Sequence, residues 1–213
     1  MAEPDETCDF AVIGAGIAGA SVASELAAHG RTLLLEMEAQ PGYHTTGRSA
    51  ALFSESYGPA PIRALSRASA SFLDAPPAGF AEHEILSPRG VLMIARADQA
   101  EALDALSEEL ADAHGIVRLD GGQTRAMLPL LREGHVAASL YDPGSRDMDV
   151  HALHQGFLRR FRAAGGRVET RTEVTGLARL GEGWALQRPN GTLRAAIVVN
   201  AAGAWADGVG RMV

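Results

Sequence analysis

The chain has 213 residues, enough for one large domain or two small ones, and its 46% hydrophobic content is ordinary for a globular protein with a core. A formal charge of -7 with no block of basic residues excludes long-range attraction to nucleic acid or anionic lipid. The single Cys8 cannot form an internal disulfide. The acidic start MAEPDETCDF lacks the basic and apolar regions of a secretory signal, so a cytoplasmic chain without a membrane span is expected.

Phe10 to Ile13 reads as a buried parallel strand, and Gly14, Gly16 and Gly19 follow in G-x-G-x-x-G spacing. Gly14 permits a tight turn, Gly16 lets backbone approach a pyrophosphate, and Gly19 lets the next helix pack closely. That helix, about Ile17 to Ala28, aims its free amides at the phosphates. A membrane segment or an ordinary buried helix is the competing reading, and Ser21, Ser24, Glu25 and the glycines oppose a span. Thr32 to Leu35 reads as a second strand ending on Glu36. An acid there accepts hydrogen bonds from a ribose 2′-hydroxyl and repels a 2′-phosphate, which favours FAD or NAD over NADP.

The following stretch, MEAQPGYHTTGRSAALFSESYG, is too rich in Gly, Ser and Thr for a strand and too long for a turn, so it is expected to serve a site. Ile62 to Leu73 has helical spacing and stops before Pro76-Pro77. Gly90 to Arg96 reads as a strand, Asp98 to His114 as an amphipathic helix with Asp98 as N-cap, and Gly134 to Tyr141 as another strand. The spacing then predicts a helix over Val150 to Ala164 that ends at Gly165-Gly166, and a strand over Arg167 to Glu169. Thr172 to Leu180, Gly183 to Arg188 and Gly191 to Val199 form an antiparallel meander, with a turn at Pro189-Asn190-Gly191. Ile197 to Asn200 runs into the small residues of Ala201-Ala202-Gly203-Ala204-Trp205, which let backbone approach a ligand. His151 and His154 lie three apart on one helix face. With no third ligand nearby they read as solvated or capping histidines, and no metal is expected. Arg159, Arg160 and Arg162 read as a solvated helix end. Ser49 has no identifiable base, which argues against acyl transfer.

Six segments together resemble the D-amino-acid oxidase superfamily of FAD-dependent oxidoreductases, most closely its bacterial D-arginine dehydrogenase type. They are VIGAGIAGAS (12–21), QPGYHTTGRSAA (40–51), PPAGF (76–80), LSPR (86–89), HALHQGFLR (151–159) and VNAAGAW (199–205). The likeness runs from about Cys8 to Trp205. It implies an α/β fold: a Rossmann-like FAD-binding domain with an inserted α+β substrate lobe, both incomplete. The FAD-binding domain would occupy 1–79 and 147–213, and the lobe segment 80–146. The cofactor implied is non-covalent FAD. Gly14, Gly16, Ala18 and Gly19 would cradle its pyrophosphate, and Glu36, with Met37 beside it, would hold the adenosine ribose. Thr45, Thr46, Gly47, Arg48, Ser49, Ala50, Ala51 and Leu52 would pass along the ribityl chain and ring. The Val174 backbone would meet the adenine, and Ala202 and Gly203 would lie against the cofactor.

On the substrate side the resemblance retains Tyr57 as a hydroxyl donor and departs at two positions. Val91 stands where the D-arginine type has an acid that pairs with the guanidinium, and Leu52 stands where it has a histidine. Loss of the carboxylate shifts the expected substrate to a small-molecule D-amino acid with an apolar side chain. Superfamily members continue for well over a hundred residues more, so the chain is expected to be an N-terminal part of an enzyme that oxidises the C–N bond of amino acids. The alternative is a non-catalytic dinucleotide-binding subunit, or half of a split enzyme that needs a partner chain.

Overall fold

Apolar runs without polar alternation form strands that are covered on both faces, and the first such run does so here. The computed structural model describes residues 6–111 and 115–213. β1 (Glu6–Ile13) leads through the glycine turn into α1 (Ile17–Leu26) and then β2 (Thr32–Leu35), which pairs with β1 in parallel. Strand alternation sorts the side chains. Val12 and Leu34 pack with Ala20 and Ala23 of α1, while Ala11, Ile13, Leu33 and Leu35 enter a second cluster.

The described chain divides into two compact units, and Ala51–Pro77 with Glu84–Asp149 make up one of them. Its elements are β3 (Leu52–Phe53), α2 (Ala60–Asp74), β4 (Leu86–Pro88), β5 (Val91–Ala95), α3 (Ala100–Glu109), β6 (Val117–Asp120), α4 (Gly121–Met127), β7 (Ala138–Asp142) and β8 (Arg146–Met148). They form two antiparallel three-stranded sheets, ordered β3-β8-β4 and β5-β7-β6. The unit starts earlier than a lobe beginning at residue 80, because β3 pairs with β8 and Arg63 of α2 holds Glu109 of α3 at 2.8 Å. Asp98 is not the cap of α3. It lies in a 3-10 turn, Ala97–Gln99, where the Arg96 guanidinium takes its carboxylate at 2.9–3.0 Å, and α3 begins after it. The end of that helix at His114 lies outside the described residues. The strand read from Gly134 begins only at Ala138, and β6 with α4, joined by the Asp120–Gln123 capping box, was not expected.

The chain returns to the first unit as α5 (Val150–Ala163), β9 (Arg167–Glu169), β10 (Gly176–Leu180), β11 (Gly183–Arg188), β12 (Gly191–Asn200) and α6 (Ala206–Gly210). The sheet order is β10-β11-β12-β1-β2-β9. Its β12-β1-β2-β9 part is parallel and its β10-β11-β12 part is the expected meander, except that β10 begins at Gly176, so Thr172 to Thr175, with Val174 among them, precede the strand rather than open it. The stretches Gly191–Val199 and Ile197–Asn200 are one strand, which pairs antiparallel with β11 on one edge and parallel with β1 on the other. Leu158 and Phe161 of α5 join Val12 and Leu34, and a Cβ on Gly156 would fall 2.4 Å from the Phe80 ring, so this mid-helix glycine makes room for the PPAGF segment. Arg188, 4% exposed at its side chain, bridges Glu6 and Glu169 and thereby ties β11 to β1 and β9. Burial pushes the Glu6 carboxyl up, but the Arg188 and Arg167 guanidinium groups outweigh it and hold it below the usual range. No helix among the described residues is long and apolar enough to cross a membrane.

Candidate functional site

The glycine turn is shaped by what cannot fit. Gly14 has φ +98°, a value L side chains rarely adopt, and a Cβ there would lie 2.5 Å from the Ala201 carbonyl oxygen. The VNAAGAW segment therefore runs directly over the turn, and Ala201 N donates to Ile13 O at 2.9 Å. A Cβ on Gly19 would fall 1.8 Å from the Gly14 carbonyl oxygen, so α1 lies against the turn as only glycine permits. Gly16 precedes the helix, and its N–H has no hydrogen-bond partner among the described residues. Ala18 is exposed on the first turn of α1.

Glu36 closes the same turn. It is 6% exposed, and its carboxylate accepts from Ala15 N and Glu38 N, each at 2.9 Å. Each oxygen keeps a second lone pair, which suits it to a pair of ribose hydroxyls. Met37 beside it is half-buried. Thr172 N donates to Glu36 O at 2.8 Å, placing the Val174 stretch along the end of β2. The Val174 side chain is buried, yet neither its N–H nor its carbonyl is engaged among the described residues. An idle backbone pair of this kind can recognise the edge of a purine. The free Gly16 amide, the Glu36 lone pairs and the idle Val174 backbone are, among the described residues, features that suit an ADP moiety.

The Thr45–Arg48 segment is a 3-10 turn, and Thr46 Oγ1 accepts from Ile17 N at 2.9 Å, so a side chain of the loop caps the first amide of α1. Thr45, Gly47, Arg48, Ser49 and Ala50 are exposed. His44 accompanies this turn. Its Nε2 lies 2.8 Å from Glu38 Oε1, and its ring lies 4.5 Å from that of Trp205, joining the loop to the segment that carries Ala202 and Gly203. Gly14, Gly16, Gly19, Glu36, Thr46, Val174 and Ala202 are thus gathered around one turn. Ala51, Leu52, Tyr57 and Val91 belong to the other unit. There Ala51 has φ +57°, an uncommon value for a non-glycine residue, Leu52 is 37% exposed, Val91 is half-buried and Tyr57 is 73% exposed.

One of the two histidine expectations changes. His151 is exposed, but His154 is 3% exposed and its Nε2 lies 2.9 Å from the Ala15 carbonyl oxygen, where it supports the glycine turn from α5. Burial holds its pKa below the ordinary value, against the pull of the Ala15 carbonyl. Sequence spacing missed it because helical periodicity shows that a histidine faces inward but not which carbonyl it meets. Arg160 is not simply solvated either, since it pairs with Glu25 of α1 at 2.8 Å. Cys8 lies within β1, where burial pushes its thiol up to about 11 and leaves it inert at neutral pH.

Comparison with known proteins gives the fold and the family. Human mitochondrial dimethylglycine dehydrogenase is 38% identical over 88 residues, which is 41% of this chain and 10% of that protein. Glycine oxidase from Geobacillus kaustophilus superposes with a TM-score of 0.84 at 25% identity, covering 97% of this chain and 58% of that one. L-alpha-glycerophosphate oxidase from Mycoplasma pneumoniae shares the fold at a TM-score of 0.84 and 18% identity, over 98% of this chain and 57% of that one. The chain thus spans somewhat more than half the length of the solved structures it matches. The family described as "DAO: FAD dependent oxidoreductase" matches residues 9–213, essentially the whole chain, and its cofactor is FAD. The chain belongs to the DAO family of FAD dependent oxidoreductases.

Proposed function

We propose that the protein oxidises the C–N bond of D-amino acids with apolar side chains. The observation that carries this reading is the turn around Gly14, in which Glu36, Val174 and the Ala201 segment converge, together with the likeness to glycine oxidase and dimethylglycine dehydrogenase, enzymes named for amine-bearing acids. FAD, when bound, supplies the hydride acceptor. Gly14, Gly16, Ala18 and Gly19 would take the pyrophosphate, Glu36 with neighbouring Met37 the ribose, Thr45 to Leu52 the ribityl and ring, and Val174, Ala202 and Gly203 the remaining edge. The protein mainly orients, holding the substrate Cα–H in line and its amine neutral.

On the substrate side, Tyr57 offers a hydroxyl with no partner among the described residues, and Val91 offers an apolar wall. A guanidinium beside Val91 would lose water without gaining a carboxylate, which disfavours D-arginine. The test compares kcat/KM for D-leucine and D-arginine in the flavin-loaded protein and in Val91→Glu. Wild type should prefer D-leucine, and the substitution should move the ratio toward arginine by roughly tenfold or more, the effect of a charge-assisted pair of about 1.5 to 3 kcal/mol. An unmoved ratio removes Val91 from the side-chain pocket. Flavin binding without turnover of any amino acid would instead favour a non-catalytic dinucleotide-binding subunit.

A further inference from the structure

We infer that Asp142 is a positioning residue for the substrate side of this reaction, one buried carboxylate that fixes both Tyr57 and Val91. The inference rests on the reading above that those two side chains meet substrate. Asp142 closes β7 and is 5% exposed. Its Oδ2 accepts from Ser56 Oγ at 2.6 Å, Ser145 Oγ at 2.8 Å and, more weakly, Ser54 Oγ at 3.5 Å, and its Oδ1 accepts from Gly144 N at 2.9 Å. No arginine pairs with it among the described residues. A buried carboxylate without a cation is expensive, and an apolar residue would make a cheaper core. What the carboxylate adds is geometry, since three hydroxyls and an amide converge on it from separate stretches of chain.

The first stretch is Ser54 to Gly58. Its start is held by the Ser54 and Ser56 hydroxyls, themselves 2.9 Å apart, and its end by Arg63, which is 8% exposed and donates to Gly58 O at 2.6 Å while pairing with Glu109. Tyr57 lies between these anchors with its ring in solvent, so its backbone is fixed while its hydroxyl is free. The second stretch is the start of β5. Val91 is the direct ladder partner of Asp142, and the preceding Gly90 donates to Ser145 O at 2.8 Å, the residue whose hydroxyl also lies on Asp142. An asparagine is a poor replacement for the acid: with its oxygen kept on Gly144 N, its NH₂ offers two protons to three hydroxyls that now donate, so these must turn round and one loses this partner.

The test uses Ser56→Ala and Asp142→Asn, the first of which leaves β7 intact. Hydrogen exchange, which needs no turnover, should accelerate about tenfold or more over residues 53–58 in both variants, while β1 stays protected. Unchanged exchange over 53–58, or equal acceleration everywhere, overturns the anchor. In steady-state kinetics with D-leucine, Ser56→Ala should raise KM about tenfold more than it changes kcat, and this effect should vanish in a Tyr57→Phe background, because coupled residues are not additive. Persistence of the full effect in Tyr57→Phe overturns the proposal. If Tyr57→Phe alone changes neither KM nor kcat, the substrate-side reading of Tyr57 falls and takes the proposal with it. If Tyr57→Phe has an effect that Ser56→Ala does not reproduce, the proposal alone falls.

Discussion

The glycine turn after β1 and the Ser54–Asp142 cluster each hold a candidate ligand-facing segment in place, but by opposite means. In the turn, the backbone is dictated by missing atoms: a Cβ at Gly14 or Gly19 would strike carbonyl oxygens at 2.5 and 1.8 Å. In the cluster, ordinary side chains converge from Ser54, Ser56, Ser145 and Asp142. The first device tolerates no substitution and leaves a local mark in the sequence. The second tolerates substitutions that keep its donors and leaves no local mark.

The largest expected effect tests the first device. Gly19→Ala should destabilise the protein by about 3 kcal/mol or more and abolish flavin binding, since α1 must lift from the turn. Gly208→Ala in α6, where a Cβ meets nothing within 4 Å, should be near neutral. Urea unfolding with flavin titration of both variants checks the pair, and equal stability of the two would break the comparison. Glu36→Ala comes next. It removes the acceptor for the Ala15 and Glu38 amides as well as the group proposed to hold the ribose, and should weaken FAD binding by about 2 kcal/mol, or roughly thirtyfold in Kd. An unchanged Kd would show that this acid serves the turn alone.

These two regions also mark what was legible in the sequence. β2 and β11 begin and end where apolar pattern and turn residues place them, and α1 and α5 start at the expected residues, α1 because the glycine turn marks its entry and α5 because it is amphipathic. The α3 start differs from the Asp98 expected from pattern, because the nearby Arg96 guanidinium takes the Asp98 carboxylate. β6 and α4 went unseen since Val117 to Asp120 is largely exposed and too short for periodicity to register. In the site, Gly14, Gly19 and Glu36 announced themselves by spacing. His154, Thr46 and Asp142 act through hydrogen bonds to residues 139, 29 and 86 positions away, which no local pattern carries.

A smaller effect refines the turn by pH. His154 is held below the ordinary histidine value of 6.5, chiefly by burial, so the unfolded chain binds more protons than the folded one in the interval beneath that value. Its contribution is complete above about pH 6.5 and is lost as pH falls through the folded pKa, with a slope of at most about 1.4 kcal/mol per pH unit. His154→Gln should flatten that part of the stability profile measured by denaturant unfolding. An unaltered slope would mean that His154 reaches water in the native state.

The smallest effect probes the side-chain device where no ligand is involved. Thr124 and Ser139 are both 0% exposed, their hydroxyls 2.7 Å apart, and Thr124 also lies 2.7 Å from Asp120 O. The Thr124 proton goes to that carbonyl, so the Ser139 hydroxyl must be the donor between the pair. Ser139→Ala then removes one donor and leaves every remaining proton satisfied, at a cost of about 1 kcal/mol. Thr124→Val strands the Ser139 donor and takes a partner from Asp120 O as well, so it should cost more, about 2 kcal/mol. Chemical denaturation of the two variants reads the difference. If Ser139→Ala proves the more damaging, the direction of the hydrogen bond is reversed, and this unit is held by a network that the positions of its oxygens alone do not define.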